Sequence, residues 1–154
     1  MYYSAIGVLA ILILFIVNWD VLHKSQVYDK PAWIVYRRFL FAVVAYYITD
    51  VIWGILEYYK LADALFVDTT VYFIAMAAGI TFWAEYTVAY LNEKSSFGRF
   101  LVYTGRVIVG LIIGVTIINI FKPVLFKVDS SSVYTALPIL YAVLVCQILF
   151  LIII

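Results

Sequence analysis

Of the 154 residues, 68% are hydrophobic, 19% aromatic and only 12% charged, about half the charged fraction of an ordinary soluble domain. So few charges cannot cover a water-facing surface, which excludes a soluble globular protein, and the formal charge of +1 supplies no basic patch for nucleic acid. The bilayer is the expected solvent and principal partner, and the expected class is an all-α polytopic transmembrane helix bundle.

Five apolar segments follow one another, at about residues 3–19, 36–57, 66–91, 100–121 and 133–154, in a single domain covering 1–154. Each is close to the roughly 20 residues a spanning helix requires. The first has no Lys or Arg before it and ends in VNWD, too bulky for a small-residue cleavage site, so it reads as a retained helix. Polar links such as DVLHKSQVYDKP, NEKSSFGR and FKPVLFKVDSSS join the spans. The chain stops at LFLIII without a basic flank, so a truncated larger bundle, seven-helical in one form, is expected.

Basic residues near span ends stay on the cytoplasmic side. Lys24, Lys30, Arg37, Arg38, Lys94, Arg99 and Arg106 belong to the first and third links and their flanks, against Lys60, Lys122 and Lys127 for the second and fourth. This asymmetry predicts an N-terminus outside and a fifth span ending inside.

The second segment contains YYITDVIWGILEYY, in which Tyr46, Asp50, Trp53, Gly54 and Glu57 fall on one helical stripe. Counting from Arg37 at about 1.5 Å per residue puts Asp50 roughly 20 Å up, past the midplane toward the outer leaflet. A carboxylate there must be paired, hydrogen-bonded, hydrated in a cavity or neutralised. Two uses fit: a ligand, proton or ion contact in an outward cavity, or an interhelical hydrogen bond that fixes packing. Glu57 falls at the outer rim. Asp63 and Asp68 flank the start of the third helix, where acids stabilise its positive end.

In the third segment Glu85 shares a face with Ala78, Thr81 and Ala89, and counting from Asn92 sets it roughly 10 Å above the inner boundary. That depth separates it from Asp50 and matches Arg106, so an intramembrane ion pair Glu85–Arg106 is expected, either as structural glue or as a latch. The fourth segment holds GLIIG, residues 110–114, which permits close helix contact within the bundle or in a homodimer, with Thr116 and Asn119 toward its outer end. Pro138 is expected to kink the fifth helix and Gln147 to make an interhelical contact.

Enzyme chemistry finds no support in the motifs: no HExxH, no glycine-rich phosphate loop and no nucleophile with an obvious base. One histidine, His23, excludes a multi-histidine metal site, and the single Cys146 excludes an intrachain disulfide.

The runs RRFLFAVVAYYITDVIWGILEYYKL, DTTVYFIAMAAGITFWAEYTVAYLNEKSSFGRFLVYTG and INIFKPVLFKVD, within about residues 35–140, resemble the N-terminal membrane region of bacterial diguanylate cyclases with a GGDEF output domain. The resemblance implies a sensory module in the bacterial cytoplasmic membrane, passing a stimulus to a cytoplasmic output domain beyond residue 154. The expected input pocket for an unidentified small ligand comprises Tyr46, Asp50, Trp53, Glu57 and Asn119. The alternative is a fragment of an ion- or proton-coupled transporter or channel, with Asp50 and Glu85 as steps on the path.

Overall fold

The computed structural model describes residues 2–23, 31–91 and 95–154. Its elements are α1 (Tyr2–Val17), α2 (Trp19–His23), α3 (Pro31–Tyr58), α4 (Ala62–Tyr90), α5 (Ser96–Phe121), β1 (Phe126–Val128), β2 (Tyr134–Ala136) and α6 (Pro138–Ile153). Lys24, Lys30 and Lys94, part of the orientation count, lie outside the described residues.

Three helices, α3, α4 and α5, are long and apolar enough to cross a membrane, with 28, 29 and 26 residues. Helices α1 and α6 have 16 residues each. At 1.5 Å per residue that is about 24 Å, short of the roughly 30 Å hydrocarbon core. Among the described residues, three of the five expected spans are thus long and apolar enough to cross. The first segment is interrupted at Asn18, whose Nδ2 donates back to Leu14 O at 2.9 Å. The last loses its opening residues to a β-hairpin. Large apolar side chains such as Ile16, Phe121 and Ile152 remain exposed, as they would against lipid.

Helix α3 lies antiparallel along α4 in the most extensive contact of the fold, with α1 on its far side and α5 across α4. The α3–α4 turn closes as a Schellman motif: Leu61 N donates to Leu56 O at 3.0 Å and Lys60 N to Glu57 O at 3.2 Å. Lys60 takes the left-handed position with φ 55°. A β-carbon costs about 1–2 kcal/mol there, against roughly 0.4–1 kcal/mol of unfolded-chain freedom that glycine adds. Lys60→Gly should therefore stabilise the chain by about 0.5–1 kcal/mol, read as a higher thermal midpoint in nanodiscs. A lower midpoint would contradict the strain.

Glycine has a definite job at two helix crossings. A Cβ on Gly7 would meet Val51 Cγ2 at 2.7 Å and Asp50 Oδ2 at 3.3 Å, so α1 reaches α3 only because that atom is missing. A Cβ on Gly105 would meet Phe150 Cζ and Thr81 Cγ2, each at 3.3 Å, and Thr81 Oγ1 donates to Gly105 O at 3.1 Å. Close approach of α4, α5 and α6 thus centres on Gly105. Gly110 and Gly114 of the GLIIG motif face open space, so that motif serves no close helix packing among the described residues.

The link after α5 is not the polar connection its Lys, Asp and Ser residues predict. Strands β1 and β2 pair antiparallel, Phe126 with Ala136 and Val128 with Tyr134, around a turn in which Asp129 Oδ1 accepts from Ser131 N at 2.8 Å and Val133 N at 2.9 Å. Leu125 and Phe126 are buried and cluster with Phe73 and Leu140, so the hairpin is wedged among the helices. Pro138 then occupies the first turn of α6, where its missing N–H is harmless. It starts that helix and does not kink it.

Candidate functional site

Asn119 explains how a hairpin can be held at the end of a membrane helix. Its Oδ1 accepts from the backbone N–H of Val124 at 2.7 Å, Leu125 at 2.7 Å and Phe126 at 3.3 Å, while its Nδ2 donates to Phe126 O at 3.1 Å. The amide capacity of Asn119 is spent on this loop, so it is a structural clamp and not a lining residue of the expected ligand pocket. Its action is indirect, since the wedge it fixes carries Tyr134.

Tyr134 faces Asp50. A cavity of about 350 Å³ is lined by Asp50 and Trp53 of α3, Thr69 and Tyr72 of α4, Tyr134 of β2 and Leu140 of α6. Counted at 1.5 Å per residue, Asp50 lies about 12 Å from the end of α3. Trp53 and Tyr134 meet edge to face, with centroids 6.4 Å apart. Burial pushes the Tyr134 phenol above its ordinary value, with Tyr141 adding to the effect, so this ring stays neutral. Among the described residues, Asp50 has no salt bridge and no Lys or Arg lines the cavity.

A second acid stands behind this wall. Asp68 is 8% exposed, lies within electrostatic range of Asp50, and its Oδ2 has no hydrogen-bond partner. It does not belong to the first turn of α4, which carries Asp63 instead, so the helix-start reading of Asp68 is corrected. The fold starts α4 at Ala62, several residues earlier than the hydrophobic pattern predicts, and this moves Asp68 into the helix body.

Tyr46 belongs to the opposite side of a tyrosine bar. Its hydroxyl is 2.9 Å from that of Tyr72, with ring centroids 4.7 Å apart. Tyr72 lines the acidic cavity and Tyr46 lines a second, apolar cavity of about 380 Å³ between α3 and α4. Met76 lines both. Glu57 is exposed and lines neither cavity: it shares the stripe of Asp50 but stands two turns further on, at the end of α3.

Glu85 and Arg106 come together at the far end of the bundle. Arg106 Nε donates to Glu85 Oε1 at 2.8 Å, with the Glu85 side chain 13% exposed and that of Arg106 67% exposed. Glu85 lines neither cavity, whereas Asp50 lines the acidic one.

Of the expected pocket, the structure assembles Asp50 and Trp53, sets Tyr46 across the bar, and brings in Thr69, Tyr72 and Tyr134 where Glu57 and Asn119 were expected. Comparisons with family models, curated proteins and solved structures gave no match, so the likeness to GGDEF-protein membrane regions rests on sequence pattern alone.

Proposed function

We propose that this chain is a membrane-embedded sensory input module in which the Asp50 cavity receives a small ligand and α6 carries the response toward a cytoplasmic output. The observation that carries this reading is Tyr134. It lines the cavity, and four residues later the chain enters α6 at Pro138. Helix α6 is the natural moving part, because it packs more sparsely on α4 and α5 than α3 does on α4. A ligand that displaces Tyr134 would shift α6, and shifts of about 1–2 Å are the ordinary output of such devices.

On this reading the module sits in a bacterial plasma membrane with its N-terminus outside. The transporter alternative draws on the same unpaired Asp50. It is the weaker of the two, since Glu85 is engaged by Arg106 and the cavity beside Tyr46 is walled by apolar side chains.

The test uses spin labels on the native, exposed Cys146 and on a cysteine replacing exposed Ile55, in nanodiscs. Tetramethylammonium, and separately the cavity-filling Thr69→Met, should shift the distance between labels by about 1–2 Å. An unchanged distribution under both would defeat the coupling. Proton or ion flux in proteoliposomes that Asp50→Asn abolishes would replace the sensor by the transporter.

A further inference from the structure

Two cavities share one wall, and their linings are opposite in character. We propose that together they bind an amphiphilic organic cation, its ammonium head held by Asp50 among Trp53, Tyr72 and Tyr134 and its alkyl tail lying past the tyrosine bar between α3 and α4. This assignment rests on the reading of the Asp50 cavity as the input site and names the chemistry of what enters it.

Charge excludes the other ligand classes first. Asp50 is the acidic residue of the lining, and among the described residues no basic side chain lines the cavity with it. An anion is repelled. A bare metal ion is poorly served, since calcium takes about 6–8 oxygen ligands. No group of three metal-ligating side chains occurs among the described residues. A quaternary ammonium needs neither hydrogen-bond acceptors nor a coordination shell. It needs a counter-charge and aromatic faces, and ring faces within about 6 Å attract such a cation most strongly where water is excluded.

The tail follows from the neighbouring cavity. Phe39, Val43, Ile80 and Trp83 line it with carbon, and it meets the acidic cavity at Met76 and across the hydrogen-bonded pair Tyr46–Tyr72. Volumes of about 350 and 380 Å³ each suit a small molecule. Methionine is an adaptable partition, able to shift for a chain that threads past it. A molecule already dissolved in the bilayer by its tail would present its charged head to a recess that neutralises it.

Binding of radiolabelled tetramethylammonium and decyltrimethylammonium to the chain in nanodiscs, corrected with empty nanodiscs, tests this. Both should bind saturably, the decyl compound at least about tenfold tighter. Asp50→Asn should weaken both by about tenfold or more, and Trp53→Leu both by several-fold. Gly79→Leu, which fills the apolar cavity where a Cβ would meet only Ala42 Cβ at 3.9 Å, should weaken the decyl compound selectively.

The proposal is overturned if neither cation saturates, if decyl sulfate competes as well as the ammonium, or if correctly folded Asp50→Asn binds like the parent. Cation binding that leaves the Cys146 label unmoved supports this ligand class and counts against coupling to α6. Movement under Thr69→Met without binding of either cation does the reverse.

Discussion

Asn119→Leu is expected to destabilise the chain by on the order of 3 kcal/mol and to empty the candidate site in the same step. The leucine keeps the branching of asparagine at Cγ but offers nothing to the N–H groups of Val124, Leu125 and Phe126, which now converge on Oδ1 at 2.7 to 3.3 Å. Leu125 and Phe126 are 1% and 0% exposed, so water cannot take over. Each buried donor left alone costs about 1–3 kcal/mol. Asn119→Asp keeps an acceptor but turns an oxygen toward Phe126 O, and should fall between parent and leucine variant. Unfolding midpoints together with amide exchange at residues 124–126 decide the matter. Unchanged midpoints with fully protected amides would show that side-chain burial, not the amide clamp, holds the wedge.

Arg106→Met is the second large effect. Glu85 is mostly buried, so removing its partner leaves a carboxylate that must be neutralised or stay uncompensated, at about 3 kcal/mol. Glu85→Gln removes the charge that needs compensation, and the exposed Arg106 reaches water or headgroups on its long stem, so the loss there should be about 1 kcal/mol. Adding Glu85→Gln to Arg106→Met should recover most of the stability. Equal losses for the two single variants would mean that the pair acts through packing rather than charge. The expected asymmetry is readable by thermal unfolding in nanodiscs.

Helix-forming apolar segments and the Glu85–Arg106 match were legible because hydropathy and depth counting act locally along one helix. The hairpin was not. FKV and YTA are only three residues each, their strand signal is weak, and their burial depends on a side-chain clamp from Asn119 and on Phe73, which is distant in sequence. Pro138 was ambiguous for the same reason: a proline marks a kink or a helix start depending on whether the residues before it are helical.

Asp68 and Tyr72 were within reach of a simple count that treats α3 and α4 as an antiparallel pair. Asp50 and Asp68 lie nine residues on either side of Tyr59, and Tyr46 and Tyr72 thirteen. Folding the sequence back at that point brings each member to the level of its counterpart. Tyr134 carried no such register signal, because its place depends on the wedge.

The fixed register of α3 against α4 also limits how the protein can move. Sliding one along the other by a turn, about 5.4 Å, would break the Tyr46–Tyr72 bond and the Schellman closure together. These two helices therefore behave as a stator, and rearrangement falls to the parts leaning on it. On the proposed coupling, the motion is a tilt of α6 about Pro138, a lever with Tyr134 on its short arm and the rest of α6 as its long arm.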